Sequence, residues 1–263
     1  MDHDEVLALF DRQMRREVRA EGSDSRIEPD GPAIRHVATD PLGWNAVIWS
    51  GLGESDADAV IARQVQRFAE LGFGFEWKLY AYDQPADLPE RLLAAGLVPD
   101  EQETLMVGAI RDLKVEGQLP DGVRIDRVTD AAGVELMVQA SEKAFGESAD
   151  WLRHRALDQL ANDPGNAYLF VAMAGDEPVS GARMDVNHGT AFAGLWGGGT
   201  APQWRGRGIY RALVAERARI AADLGYEYLQ VDASDQSRPI LERLGFAVLT
   251  TTTPYNMPAP RQP

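Results

Sequence analysis

Cysteine is absent from this chain of 263 residues. Disulfides, zinc–thiolate sites and a cysteine nucleophile are therefore excluded. Histidine is scarce, and His3, His36, His154 and His188 lack the short spacing of a metal-binding pair, so no metal is expected. Apolar runs are short: none approaches the roughly 20 residues needed to cross a bilayer. Met1 to Arg19 is studded with charge instead of carrying the apolar core of a signal peptide. No membrane partner is expected, and the chain reads as cytoplasmic. Basic residues are outnumbered, 26 Lys+Arg against 41 Asp+Glu, for a formal net charge of −15. Such a surface repels phosphate backbones, so no nucleic-acid partner is expected.

What is present is 44% hydrophobic residues, enough for a packed core, in a length that suits one large domain or two ordinary ones. Val6, Leu7, Phe10, Met14 and Val18 recur at helical spacing and predict an amphipathic helix over Asp4 to Ala20. Gly22 to Pro32 reads as loop. Short strands follow at Ala33 to Ala38 and Asn45 to Ser50, then a helix starting near Asp56 with Val60, Ile61, Val65, Phe68 and Leu71 on one face. Phe75 to Tyr82 alternates as a strand, Asp87 to Ala95 is a short helix ended by Gly96, and Glu103 to Ile110 is a strand.

An internal similarity then divides the chain. LGFGFEWKLYAYDQPADLPERLLAAGLV, from Leu71, resembles LGYEYLQVDASDQSRPILERLGFAV, from Leu224. Asp83-Gln84 falls on Asp235-Gln236 at an offset of 152 residues, and Val60-Ile61 on Leu213-Val214 at 153. A repeat this long suits two related domains in tandem, expected at 1–115 and 121–263 and joined by the turn-rich linker Glu116 to Gly122.

The second half opens with a strand, Val123 to Val128, and a helix that Thr129 could cap. A helix at Asp150 to Leu160, a turn at Asn162 to Asn166, and strands at Tyr168 to Met173, Pro178 to Val186 and Ala191 to Trp196 follow. Then come a helix at Ile209 to Leu224, a strand at Tyr226 to Val231, a helix at Arg238 to Leu244 and a last strand from Ala247. The order is β-α-α-β-β-β-α-β-α-β.

Against the acidic background, GLWGGGTAPQWRGRGIYRAL (Gly194 to Leu213) stands out, with Arg205, Arg207 and Arg211 close together. Glycines let the backbone approach a ligand, and a helix N-terminus offers unpaired N–H groups and a positive dipole end, which together make a seat for an anion. The dinucleotide fingerprint is not met, because its third glycine is missing after Gly206-Arg207-Gly208, and the Walker pattern is absent.

From Val123 to about Tyr255, this order of elements resembles the GCN5-related N-acetyltransferase family. TAPQWRGRGIYRAL resembles that family's acyl-CoA signature R/Q-x-x-G-x-G/A, and ILERLGF its late helix-to-strand motif. Two registers fit the signature, Gln203-x-x-Gly206-x-Gly208 and Arg205-x-x-Gly208-x-Tyr210. The second keeps Thr200-Ala201-Pro202 and Arg211-Ala212-Leu213 in the family's usual places, and puts Tyr210 where a small residue is usual. The fold implied is α/β, with tandem acyltransferase folds and a central mixed sheet flanked by helices.

The resemblance implies acetyl-CoA as acyl donor. Its pyrophosphate would lie on the loop Arg205, Gly206, Arg207, Gly208, Ile209, Tyr210 and Arg211. Its pantetheine arm and acetyl carbonyl would lie along Gly198, Gly199 and Thr200, with Ser234 and Ser237 as further contacts. The activity implied is direct acetyl transfer to a primary amine of a small molecule or peptide, by a monomer or homodimer. An N–H of Gly199 or Thr200 is the expected oxyanion donor. The family's tyrosine and glutamate are replaced here by Leu241 and Gln230, so Asp232 and Glu142, with Asp185 on a central strand as a further possibility, are the candidate bases and Tyr255 the candidate acid. The alternative is a non-catalytic acyl-CoA-binding module that has lost its acid and base. In the first half, the offset brings Leu52 to Ala57 (LGESDA) to the phosphate turn, where Glu54 and Asp56 would repel a pyrophosphate. That half is expected to be a degenerate acetyltransferase-like domain, retained for packing or to shape the acceptor site.

Overall fold

The computed structural model describes residues 1–20, 25–39, 43–115 and 117–260. The part of the expected loop at 22–24 and Glu116 of the expected linker lie outside the described residues.

In chain order, α1 (His3–Phe10) is capped by Asp2, whose carboxylate accepts from the Asp4 and Glu5 amides, and runs into a π-helical turn at Asp11–Arg16. Next come β1 (Ser25–Asp30), β2 (Ala33–Ala38), β3 (Ala46–Ser50), α2 (Ala57–Leu71), β4 (Phe75–Tyr80), α3 (Leu88–Ala94), β5 (Val98–Pro99) and β6 (Glu103–Ala109). They are followed by β7 (Val123–Val128), α4 (Ala131–Phe145), α5 (Asp150–Asn162), β8 (Tyr168–Ala174), β9 (Glu177–Val186) and β10 (Phe192–Thr200). The chain closes with α6 (Ile209–Asp223), β11 (Tyr228–Ala233), α7 (Arg238–Leu244) and β12 (Ala247–Met257).

Contacts gather these elements into two compact units that are not sequential. The first is Met1–Leu105, Asp232–Gln236 and Val248–Pro263; the second is Met106–Val231 and Ser237–Ala247. These units do not coincide with the halves 1–115 and 121–263, because the last strand folds with the first unit. Strand order in the first is β1-β2-β3-β4-β12, antiparallel except for the parallel pair β3 and β4. In the second it is β7-β8-β9-β10-β11, antiparallel except for the parallel pair β10 and β11. Each unit is thus a mixed α/β fold.

The internal similarity has a structural counterpart. A strand, a helix of 15 residues, a parallel strand and a helix of 7 residues recur as β3-α2-β4-α3 and β10-α6-β11-α7. The α2 stripe of Val60, Ile61 and Phe68 is buried, with Phe68 stacked on Phe75 at 4.4 Å, and Gly72 ends the helix in the left-handed region. Each such large apolar side chain contributes about 1.5–3 kcal/mol by leaving water. In the second unit, Val134, Met137 and Val138 of α4 pack on Leu169, Val171 and Met173 of β8.

Four expectations are corrected. The helix over Asp4 to Ala20 ends as α1 at Phe10 and widens into the π turn, which buries Arg15 rather than continuing the apolar stripe. Arg15 Nε donates to Ile48 O, and its guanidinium binds Asp83 through both Nη atoms. The expected loop contains β1, whose polar sequence SRIEPD pairs with β2 along its length. Asp130, not Thr129, caps α4, accepting from the Gly133 amide at 2.8 Å. Finally, β10 does not stop at Trp196 but runs through the glycines to Thr200, with a bulge between Trp196 and Gly199.

Candidate functional site

The seat at the start of α6 is made entirely within the second unit. After β10, a 3-10 turn at Pro202–Trp204 leads through Gly206 at φ +74° to Gly208 at φ +88°, the N-cap. That region favours glycine, and no side chain caps the helix. The first amide bonded back into the helix is Ala212 N to Gly208 O at 3.0 Å, which leaves the amides of Ile209, Tyr210 and Arg211 at the open helix end. Donors and dipole there both favour an anion.

The arginines of this loop divide in their contacts. Arg205 donates from Nε to Thr200 O at 3.0 Å and from Nη2 to Ala144 O at 2.8 Å, clamping the end of β10 to the end of α4. Arg207 lies over the Trp204 ring, 4.7 Å from its centroid. The segment after Glu116 lies on the first helical turn: a Cβ on Gly117 would stand 2.6 Å from Ala212 Cα, and Gln118 O lies 3.2 Å from the Cβ position of Gly208.

Tyr210 turns its ring inward. Its Cε2 is 2.8 Å from the Cβ position of Gly198, so a side chain there would collide with it. Its hydroxyl is hydrogen-bonded to Ser237, at the start of α7. Burial pushes the phenol up, opposed by Arg217 and by that hydrogen bond. The ring therefore leaves the helix end to the backbone amides.

The edge of β10 decides which N–H can meet a carbonyl. Pairing with β11 stops at Gly194 opposite Gln230, so the strand edge beyond it is open. On the other edge, Ala201 N donates to Val179 O at 2.9 Å. By antiparallel alternation, Gly199 also faces β9, while the Thr200 N–H turns to the open edge. Gly199 O accepts from Ser180 Oγ at 2.7 Å, and Ser180 Oγ is 2.9 Å from Thr200 Oγ1.

The remaining expected residues are dispersed. Glu142, near the end of α4, accepts from the amide of Ala149, the residue before α5, at 3.4 Å. Asp232 and Tyr255 belong to the first unit, as does the exposed Ser234. Tyr255 is buried in that unit's core cluster, on β12 opposite Trp77 and Pro99. Asp232 Oδ2 lies 2.6 Å from Lys78 Nζ, with the carboxylate side chain 2% exposed and its Oδ1 without a hydrogen-bond partner. Burial works against the Lys78 charge, but Asp232 leads the attractions that hold its pKa above the ordinary lysine value.

Glu103, in the same unit, was not among the expected residues. Burial, together with Asp232 and Glu76 and against Lys78, pushes its carboxyl up to about 7. A group that titrates there can both accept and give a proton at neutral pH. Nothing local marks it, because its environment is assembled from residues far away in sequence. Among the described residues, no group of three or more His, Cys, Asp or Glu side chains could hold a metal, and no helix is long and apolar enough to cross a membrane.

The helix end behind the bulged strand of this mixed sheet offers unpaired N–H donors to an anion. The chain matches the model of the Acetyltransferase (GNAT) family over residues 133–246. Its fold recurs in a GCN5-related N-acetyltransferase from Kribbella flavida, 17% identical, with a TM-score of 0.70 over 97% of this chain and 95% of that one. A GCN5-related N-acetyltransferase from Sphaerobacter thermophilus is 16% identical, with a TM-score of 0.62 over 98% and 86%. A tandem GNAT protein from the clavulanic acid biosynthesis pathway is 10% identical, with a TM-score of 0.59 over 92% and 86%. No curated protein matches the chain.

Proposed function

We propose that this protein is a cytoplasmic N-acetyltransferase, monomeric or homodimeric, that moves an acetyl group from acetyl-CoA to a primary amine of a small molecule or peptide. The observation that carries the reading is the start of α6, capped by Gly208 in the left-handed region with no side-chain cap, within the matched residues. This donor set fits a pyrophosphate. Acetyl-CoA, when bound, supplies a thioester carbonyl activated towards attack.

The chain's own groups then have the following roles. Amides of Ile209 to Arg211 hold the pyrophosphate, beside Arg205 to Gly208. Gly198 to Thr200 line the arm, Ser237 holds Tyr210 beside it, and Ser234 is a further contact. The Thr200 N–H polarises the carbonyl oxygen, a task that Gly199, facing β9, serves by position alone. The amine must arrive neutral, since an ammonium has no lone pair. A base or a water chain takes the amine proton; Glu142, the candidate within the second unit, accepts from the Ala149 amide. As the C–N bond forms, the C–S bond breaks and the thiolate receives the proton that the amine has lost, while Tyr255 stays packed in the first unit's core.

The first unit reads as a degenerate form of the same fold that keeps no seat. Its turn before α2 is closed by its own carboxylate, Asp56 Oδ1 accepting from the Gly53 amide at 2.8 Å.

A panel of primary amines with acetyl-CoA, read by release of free CoA thiol, tests the proposal. Thiol release with one or more amines supports it. Binding of acetyl-CoA without release across the panel supports the second reading, a non-catalytic acyl-CoA-binding module, which is favoured by the ties of Asp232 to Lys78 and of Glu142 to Ala149.

A further inference from the structure

Arg217 lies on the buried face of α6 and is 1% exposed. Its Nε donates to Leu213 O at 3.0 Å and its Nη1 to Arg183 O at 2.9 Å. Both acceptors are neutral carbonyls. Among the described residues no carboxylate pairs with this guanidinium, and the one titratable group that attracts it is the Tyr210 phenol. A guanidinium has five N–H donors and keeps its charge in proteins, so removing it from water without a counter-charge is strongly unfavourable. Burial pulls its pKa down to about 10. Other buried arginines of this protein are answered by acids, Arg15 by Asp83 and Asp11, and Arg35 by Glu28 and Asp30.

The position of the unanswered charge is informative. Arg217 Nη2 lies 3.7 Å from the Cβ position of Gly198, in the bulge of β10. The Tyr210 ring stands against the same glycine, with its hydroxyl held by Ser237. The backbone that would receive the acyl end of a thioester is therefore backed by a cation and a phenol. An aliphatic wall would suit a bare methyl better, because a methyl leaves the buried charge without a counter-charge.

We propose that Arg217 is the receptor for a carboxylate carried on the acyl group, and that the preferred donor is a short dicarboxylic acyl-CoA of the malonyl or succinyl kind. The inference rests on the acyl-CoA reading of β10 and α6, and it puts a dicarboxylic acyl group in place of acetyl as the preferred one. The carboxylate supplies the missing counter-charge and accepts in-plane hydrogen bonds from the guanidinium fork. It takes no part in bond-making. The amine nitrogen attacks the thioester carbonyl, the C–S bond breaks, CoA leaves as its thiol with the proton lost by the amine, and the distal carboxylate is carried unchanged into the amide product. A site built to pair a polar group rejects a ligand lacking it far more strongly than an apolar pocket rejects a missing methylene.

Calorimetric titration of the full chain with CoA, acetyl-CoA, propionyl-CoA, malonyl-CoA and succinyl-CoA tests this, in the wild type and in Arg217→Met. The wild type is expected to bind at least one dicarboxylic thioester tenfold or more tighter than acetyl-CoA and propionyl-CoA, and R217M to lose that preference. R217M, which replaces an unanswered charge with an apolar side chain of similar length, is also expected to melt no lower than the wild type. If R217M does not fold, R217Q serves in its place, and the wild-type comparison alone still decides. Equal binding of acetyl-CoA and succinyl-CoA by the wild type overturns the inference and leaves the acyl-CoA reading intact. Binding of neither CoA nor any thioester overturns both.

Discussion

Replacing Glu103 by Gln removes a carboxyl whose proton is held unusually tightly in the folded chain. In the unfolded chain it titrates near 4.5, and in the fold near 7, because burial and the neighbouring Asp232 and Glu76 oppose its charge. The folded state thus binds more protons than the unfolded state between those values. This group's contribution to stability is complete below about pH 4.5 and is lost as the pH rises through about 7. The gap between the two values corresponds to roughly 3 kcal/mol for a fully buried group. Glu103 is partly solvated, which reduces the effect to about 2 kcal/mol. In a chain of this size that is about 4–8 °C in melting temperature. Urea unfolding of wild type and E103Q at pH 5, 6, 7 and 8 reads it directly. The stability difference should move in favour of E103Q by about 2 kcal/mol from pH 5 to pH 8. A difference that stays constant over this range would refute the burial argument for Glu103, and with it the case for this residue as an acid or base.

Asp232→Asn leaves the Lys78 cation buried without its partner and should cost about 3–5 kcal/mol in chemical denaturation, whereas replacing both residues with apolar ones recovers most of the loss. Asp83→Ala strands Arg15 in the same way, with a similar expected loss of about 3–5 kcal/mol and a lower urea midpoint. Gly117→Ala forces the chain off the first turn of α6, where its Cβ would meet backbone at 2.6 Å. Overpacking of that kind costs about 1–3 kcal/mol, measurable as a lower melting temperature.

The positions legible in the sequence were those with local causes. β2, β7 and α7 have the expected bounds because alternation, caps and a terminal glycine mark them. The glycine turn before α6 was legible for the same reason, since Gly206 and Gly208 adopt the backbone that only their type adopts easily. What escaped depends on distant partners. β1 is a polar strand made by its ladder to β2, and the π turn after α1 exists where Arg15 reaches Ile48, Tyr82 and Asp83. The direction of the Tyr210 ring required Gly198 and Ser237, and the titration of Glu103 required Lys78, Glu76 and Asp232. The return of β12 to the first unit had no local signal either, because its Val/Thr-rich sequence fits any mixed sheet.

The central claim is that the α6 helix end is the one acyl-CoA seat of this chain. Isothermal titration of the full chain with acetyl-CoA, alongside Gly208→Glu, tests it most directly. The claim predicts one site per chain in the wild type and loss of binding in G208E, where a carboxylate would enter the anion seat. Two sites per chain, no binding by the wild type, or undiminished binding by G208E would contradict it.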